Sequence, residues 1–255
     1  MKTIRNLFLA TVLIISVNLI AGATNENSKM ISKPDAAVKQ GTYFQDETEL
    51  KERANKTLEK AVKALEDIME GYESSIPVSM LQKAEGIVII PGTVKIAVGV
   101  LGGQGGRGIA LIHKEDGSWS NPFFVILGEG SLGFQLGAQI SDIVLLFKDQ
   151  DDILAIEKAE ITLGADVGVT AGPESKGSTA NTDIEFDAEI YSYYRSKGLF
   201  AGVSIKGGVL KYNNNLNNAF YGKDEITTNG IFNEVETPFN EKVNDFVQTL
   251  IKYSK

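Results

Sequence analysis

Of the 26 glycines in this chain, 22 lie between Gly86 and Gly222. Apolar residues in the same span recur at every second position, as in Ile161, Leu163, Ala165, Val167 and Val169. Ile184, Phe186, Ala188 and Ile190 repeat the pattern, and so do Leu199, Ala201, Val203 and Ile205. A period of two marks half-buried strands, and glycine among strands relieves crowding at bends and bulges. The segment therefore predicts many short strands in a curved antiparallel sheet, closed as a barrel or layered as a sandwich. Turns are expected at Asp116-Gly117, at residues 213–215, and at residues 195–198, the last as a hairpin between two alternating runs. Residues 151–154 predict a helical interruption.

The flanks carry a different period. Leu50, Ala54, Leu58, Ala61, Leu65, Ile68 and Met69 recur at three- and four-residue steps, which places one apolar stripe on a long helix. Thr42 with Gln45 offers a capping box at its start. Pro77 opens a short second helix, and Thr237-Pro238 precedes a third stripe through Phe239, Val243, Phe246, Val247, Leu250 and Ile251. The fold class is α+β: a Gly-rich curved antiparallel sheet packed with a long N-terminal helix and a C-terminal helix. One domain is expected over residues 42–255, helical at 42–84, β-rich at 85–222 and helical again at 237–253.

Residues 1–23 read as a secretory signal peptide. Lys2 and Arg5 precede an apolar run from Leu7 to Ile20, and Ala21-Gly22-Ala23 supplies the small residues of a cleavage site. The run is shorter than the roughly 20 residues a membrane-spanning helix needs. Residues 24–41 lack apolar periodicity and read as a flexible lead-in. Loss of Lys2 and Arg5 with the leader takes the net charge from −8 to −10. The chain is thus expected to be exported through a cleaved signal peptide.

Composition narrows the chemistry. The chain has no Cys and a single His, which excludes disulfides, thiol nucleophiles, thiolate zinc sites and His-His metal motifs. A net-acidic chain is a poor nucleic-acid binder, because neutralising phosphates takes clustered Lys and Arg. Residues 128–133 and 103–108 both match GxGxxG, but strand alternation follows the first instead of the helix that a dinucleotide site requires. Residues 172–179 lack the P-loop lysine, since Ser178 stands in its place. His113 sits at a turn with no GxSxG serine to serve. Asp183, Glu185, Asp187 and Glu189 share one strand face, which suits a solvated outer surface better than a Ca²⁺ site. No catalytic residues, metal site or cofactor are assigned, and the chain is read as a non-enzyme.

Several segments, in order, resemble the SYLF lipid-binding domain. They are residues 84–91 (AEGIVIIP), the glycine loop at 102–108, 119–122 (WSNP), 133–139 (GFQLGAQ), 141–144 (SDIV), 163–166 (LGAD), 171–173 (AGP) and 194–204 (YRSKGLFAGVS). The sequence departs from the family after Pro173, where Glu174, Ser175 and Lys176 replace the usual Gly-Arg. It departs again at Lys206, where relatives usually carry an acid. The resemblance, closest in form to the exported stand-alone bacterial members, implies a place in the periplasm or cell envelope of a bacterium and a phospholipid or membrane-surface partner, reached in eukaryotic members through an amphipathic helix at the start of the domain. Lipid headgroup contacts are then expected from Arg107, Arg195 and Lys197. The membrane-facing helix would present Lys51, Arg53, Lys56, Lys60 and Lys63, and Trp119, Phe123 and Phe124 would form an apolar edge. The helix nevertheless carries eight acids against those five cations, so read by charge alone it covers the sheet. The alternative expectation is an envelope protein-interaction or stress-tolerance scaffold without lipid dependence.

Overall fold

In the computed structural model, residues 36–71, 76–173, 186–198 and 205–255 are described, with backbone only at 36–46, 131–136 and 197–198. The leader at 1–23, most of the lead-in, and Asp183 and Glu185 of the acidic run lie outside the described residues. The chain divides into two units, Met1–Tyr43 and Phe44–Lys255. Of the first, the backbone of residues 36–43 is described and is helical.

Helix α1 spans Ala36–Met69. It starts within the segment expected to be a flexible lead-in, because Ala36, Ala37, Lys39 and Gln40 are good helix formers even without an apolar stripe. In the second unit, the expected stripe is the buried face: Ala54, Leu58, Ala61, Leu65 and Ile68 are each no more than 1% exposed. A short helix α2, Val78–Lys83, follows with Pro77 at its N-cap, and Met80 and Leu81 are buried.

The glycine-rich region is dominated by two strands far longer than the expected short ones: β1, Gly86–Ile112, and β2, Phe123–Phe147. They pair antiparallel from Gly86 opposite Phe147 to Ala110 opposite Phe123. The connection is the expected turn, with Gly117 at φ +80° and a bridge between His113 and Trp119. Register shifts between Ile90 and Thr93 and between Gly99 and Leu101 bend the ribbon. At the first shift Gly92 takes φ +61° and donates its N–H to Asp142 Oδ1 at 2.8 Å. The bending brings the two arms of β1 together. A Cβ on Gly108 would stand 2.2 Å from the Ile89 carbonyl oxygen, so only glycine permits this approach. The sheet curls into a half-barrel.

Helix α3, Gln150–Lys158, is the expected interruption, extended to nine residues. Strands β3 (Ile161–Thr162), β4 (Val169–Ala171), β5 (Ile190–Gly198) and β6 (Val209–Tyr212) complete the sheet. The described strands run in the order β3-β6-β2-β5-β4, with β1 also on β2. All pairs are antiparallel except β4 with β5. The long alternation over 161–169 breaks after two residues, because Gly164 turns at φ +83° and Asp166 Oδ2 accepts the Thr162 N–H at 2.7 Å. Residues 195–198 are not a hairpin turn: they continue β5, with Asp142 opposite Arg195 and Gln139 opposite Gly198.

Residues 213–215 are more than a turn. Asn213 accepts the Leu216 N–H and caps helix α4, Asn214–Tyr221, which ends on Gly222 in the left-handed region. Helix α5 spans Thr228–Asn233. The C-terminal helix α6 is Glu241–Tyr253, four residues later than the expected start at 237, because the Asn240 side chain accepts the Val243 N–H at 3.0 Å and caps it there. Asn217, fully buried, locks α4 to β2: its Oδ1 accepts from Phe124 N at 2.8 Å and its Nδ2 donates to Phe124 O at 3.0 Å.

Candidate functional site

Arg53, Lys56 and Lys60 follow one another at three- and four-residue steps, which places all three on one side of α1. That side faces the first bulge of β1, and the glycine loop passes next to it. Together they form a groove of about 310 Å³ lined by the three helix cations and Thr57, by Pro91, Gly92 and Val94, and by Gly105, Gly106 and Arg107. Among the described residues, four cationic side chains and no carboxylate line it. Thr57 is fixed at its edge by donating to the Arg53 carbonyl at 2.8 Å.

The charges differ in how far they are committed. Arg53 Nη2 lies 2.5 Å from Glu49 Oε1, and Lys56 Nζ lies 2.6 Å from Glu52 Oε1, one turn back along the same helix. The Lys56–Glu52 hydrogen bond holds the Glu52 carboxyl below its usual range and the Lys56 ammonium above its own. Both pairs are exposed, and such pairs are worth little in water. Lys60 and Arg107 make no ion pair among the described residues, and both are exposed. The groove thus presents two uncommitted cations and two that can exchange a weak partner for a stronger one. A phosphate matches this set, because guanidinium offers paired donors and ammonium a compact charge.

The remaining expected site residues are placed elsewhere. Lys51 pairs with Glu47 at 2.7 Å and Lys63 with Asp67 at 3.6 Å, and neither lines the groove. Arg195 Nη1 stands 2.6 Å from Asp67 Oδ2, a charge contact that ties β5 to α1 without hydrogen-bond alignment. The backbone of Lys197 pairs with Ile140, and its side chain lies outside the described residues. Trp119, Phe123 and Phe124 do not form an exposed edge. Trp119 is 3% exposed and stacks on His113 at 4.7 Å, while both Phe side chains are fully buried, with Phe123 beside Tyr212 and Phe124 beside Phe220. Phe123 and Phe124 are consecutive in β2 and so point to opposite faces, and both are buried because the sheet is covered on both faces at this point.

Both GxGxxG segments lie in strands, residues 103–108 in β1 and 128–133 in β2. Neither opens a helix, so neither forms a pyrophosphate site of the dinucleotide type. Glu189, from the acidic run, accepts the Gly168 N–H and holds β4 against β5. Lys211 pairs with Glu160 at 2.6 Å. Among the described residues no group of three His, Asp or Glu is placed to hold a metal ion. No described helix is long and apolar enough to cross a membrane.

Comparison with known proteins places this architecture. The Ysc84 model, described as "Las17-binding protein actin regulator", matches residues 128–253. The chain belongs to the Ysc84, or SYLF, family. It is 32% identical over 186 residues to the bovine SH3 domain-containing YSC84-like protein 1, covering 70% of this chain and 54% of that protein. The Xenopus laevis counterpart is 33% identical over 175 residues, 68% of this chain and 51% of its own length. LAS seventeen-binding protein 3 of Saccharomyces cerevisiae is 34% identical over 155 residues, 60% of this chain and 33% of the yeast protein. The chain spans about half the length of the vertebrate relatives it matches. The family match runs from Gly128, inside β2, to Tyr253, while α1 and the glycine loop, which build the groove, precede it.

Proposed function

We propose that this protein is an exported, non-enzymatic phospholipid-binding domain that works at a membrane surface of the bacterial cell envelope. The groove between α1 and the glycine loop carries the reading: four cations converge there without a lining carboxylate, on a protein whose net charge is −8. Attraction to an anionic surface must then be local, and a groove of this size and charge suits a lipid phosphate with its nearest substituents. Arg107 and Lys60 supply the primary contacts, while Arg53 and Lys56 release Glu49 and Glu52 as they engage. Each cation near an anionic leaflet contributes about 1 kcal/mol. Export rests on the leader at residues 1–23, and the first residue after its removal is Thr24.

Two measurements test this. Cell fractionation with N-terminal sequencing should find the mature chain, beginning at Thr24, in the envelope fraction; a cytoplasmic protein retaining Met1 contradicts export. Sedimentation with vesicles should retain the protein on anionic membranes, and failure on both anionic and zwitterionic vesicles contradicts the lipid reading. The names of the matched family and of the yeast relative favour a second reading, a scaffold that binds a protein partner. It predicts a stable cross-linked partner in cells and no dependence on lipid.

A further inference from the structure

Between its two bulges, the β1–β2 ribbon is built inside out. In β1, Thr93 and Ala97 are each 1% exposed, whereas Val94, Ile96 and Val98 are 43%, 54% and 68% exposed. The cross-strand neighbours obey the same division. Val94 stands opposite Ile140, itself 54% exposed, while Lys95 stands opposite Gln139 at 1% and Thr93 opposite Ser141 at 3%. Polar side chains therefore face the inner side of the sheet, and branched aliphatic ones face out. The inner polar lining extends along the ribbon to Gln104, 6% exposed and opposite Glu129. Among the described residues, Gln104 Oε1 and Nε2 and Gln139 Oε1 are buried without a hydrogen-bond partner. The outer strip extends past the second bulge to Leu101, 64% exposed.

A sheet folded for water on its open face shows the reverse arrangement, with apolar residues in and polar residues out. Apolar-out and polar-in alternation belongs to strands that face hydrocarbon. Contiguous apolar surface of this kind is uncommon on soluble proteins and marks a binding face.

We infer that the outer face of this ribbon, from Val94 to Leu101, is a membrane-penetrating element that enters the hydrocarbon of a bilayer leaflet beside the cationic groove. The inference rests on the lipid-binding reading and adds to it the part of the chain that enters the bilayer. Val94 both lines the groove and begins the strip, so a lipid phosphate held by Arg107 and Lys60 places its acyl chains along Ile96 and Val98. An occupant must offer anionic groups at the groove and hydrocarbon next to them, which is how a phospholipid leaflet is composed. A second copy fails this requirement, because laid strip to strip by a two-fold axis it would set against the groove either its own cationic groove or its apolar Leu101 end. Length sets the depth. From Val94 to Leu101 the strand advances about 23 Å at about 3.3 Å per residue. A spanning strand needs about 9–11 residues to cross about 30 Å. The strip therefore anchors in one leaflet and does not cross the bilayer.

The chain has no cysteine, so Val98→Cys in the mature full-length chain carries a single environment-sensitive fluorophore. Glu115→Cys, at the exposed turn, carries the same dye as a reference. On vesicles of phosphatidylglycerol and phosphatidylcholine, the dye at 98 should shift to the blue and brighten severalfold. It should be quenched by nitroxide-labelled acyl chains and protected from aqueous iodide, while the dye at 115 remains iodide-accessible. A protein that sediments with vesicles while the dye at 98 stays aqueous overturns the insertion and leaves lipid binding standing. Failure to sediment overturns both. A blue shift without vesicles, accompanied by a doubled molecular mass, assigns the strip to a second copy and also overturns it. Val98→Asp supplies an unlabelled check: vesicle partition should fall at least tenfold with the thermal unfolding midpoint unchanged, and unchanged partition overturns the inference.

Discussion

Gly108→Ala separates two roles for the glycine loop: cradling a phosphate, or allowing strands to touch. An added Cβ at residue 108 would lie 2.2 Å from the Ile89 carbonyl oxygen, 3.0 Å from the Ile89 carbonyl carbon and 2.9 Å from Ile90 Cγ1. Ordinary contact begins near 3.4 Å, so the arms of the ribbon must part by about 1 Å. The obstacle is backbone, which cannot rotate away as a side-chain tip does. Overpacking a core costs about 1–3 kcal/mol, and this substitution belongs at or above the upper end. For a chain of this size, about 3 kcal/mol lowers the thermal midpoint by about 6–12 °C. Gly103→Ala is the matched control, since its Cβ would meet only Glu129 O at 3.5 Å and its φ is not left-handed. That change should lie within about 1 kcal/mol of the parent, because restricting the unfolded chain favours alanine. The assay is urea and thermal unfolding followed by circular dichroism. If Gly108→Ala unfolds within half a kcal/mol of the parent, with Gly103→Ala equally silent, the folded-over ribbon is refuted.

Three further outcomes follow from named contacts. Asn217→Ala leaves the Phe124 N–H and C=O without their partners in the core, so it should destabilise by about 2–4 kcal/mol in urea unfolding. Burial raises the Glu129 carboxyl above its usual range, partly offset by the charge of Lys95. The native state therefore binds the proton more tightly than the unfolded chain does, and Glu129 costs stability as pH rises through the unfolded carboxyl range to its raised native value. Glu129→Gln should be more stable than the parent at pH 7, with the difference vanishing on acidification below the unfolded carboxyl range; thermal unfolding across pH reads both. Lys60→Ala and Arg107→Ala should each weaken partition onto anionic vesicles about fivefold, matching about 1 kcal/mol per charge, with a smaller effect at high salt.

How much of this was legible in the sequence depends on what each pattern encodes. The stripe Ala54, Leu58, Ala61, Leu65, Ile68 specified both the helix and its buried face, because a 3.6-residue period identifies one side. The glycine-rich alternation specified a curved sheet, yet not two strands of 27 and 25 residues, since bulges at Gly92 and Gly99 look like turns in one dimension. Alternation also tells which residues share a face without telling which face is the core. That is why the outward Val94, Ile96 and Val98 could not be distinguished from buried ones, and why Trp119 and Phe123 could be read as an edge. The hairpin expected at residues 195–198 rested on polar residues beside a glycine, while the pairing of Arg195 with Asp142 comes from a strand some 50 residues away. The groove was half visible. Summing charge over α1 hid it, because the acids at 49, 52 and 59 masked the spacing of Arg53, Lys56 and Lys60 along one side. Their meeting with Arg107 depends on the bulge at Gly92, which no local pattern announces.

Co-sedimentation of the mature chain with vesicles, across increasing phosphatidylglycerol content and at low and high salt, tests the central claim most directly. The account predicts binding that grows with anionic lipid, weakens at high salt without disappearing, and falls sharply in the Lys60→Ala/Arg107→Ala double variant. Equal recovery of parent and double variant at every composition, or no recovery of either, would contradict it.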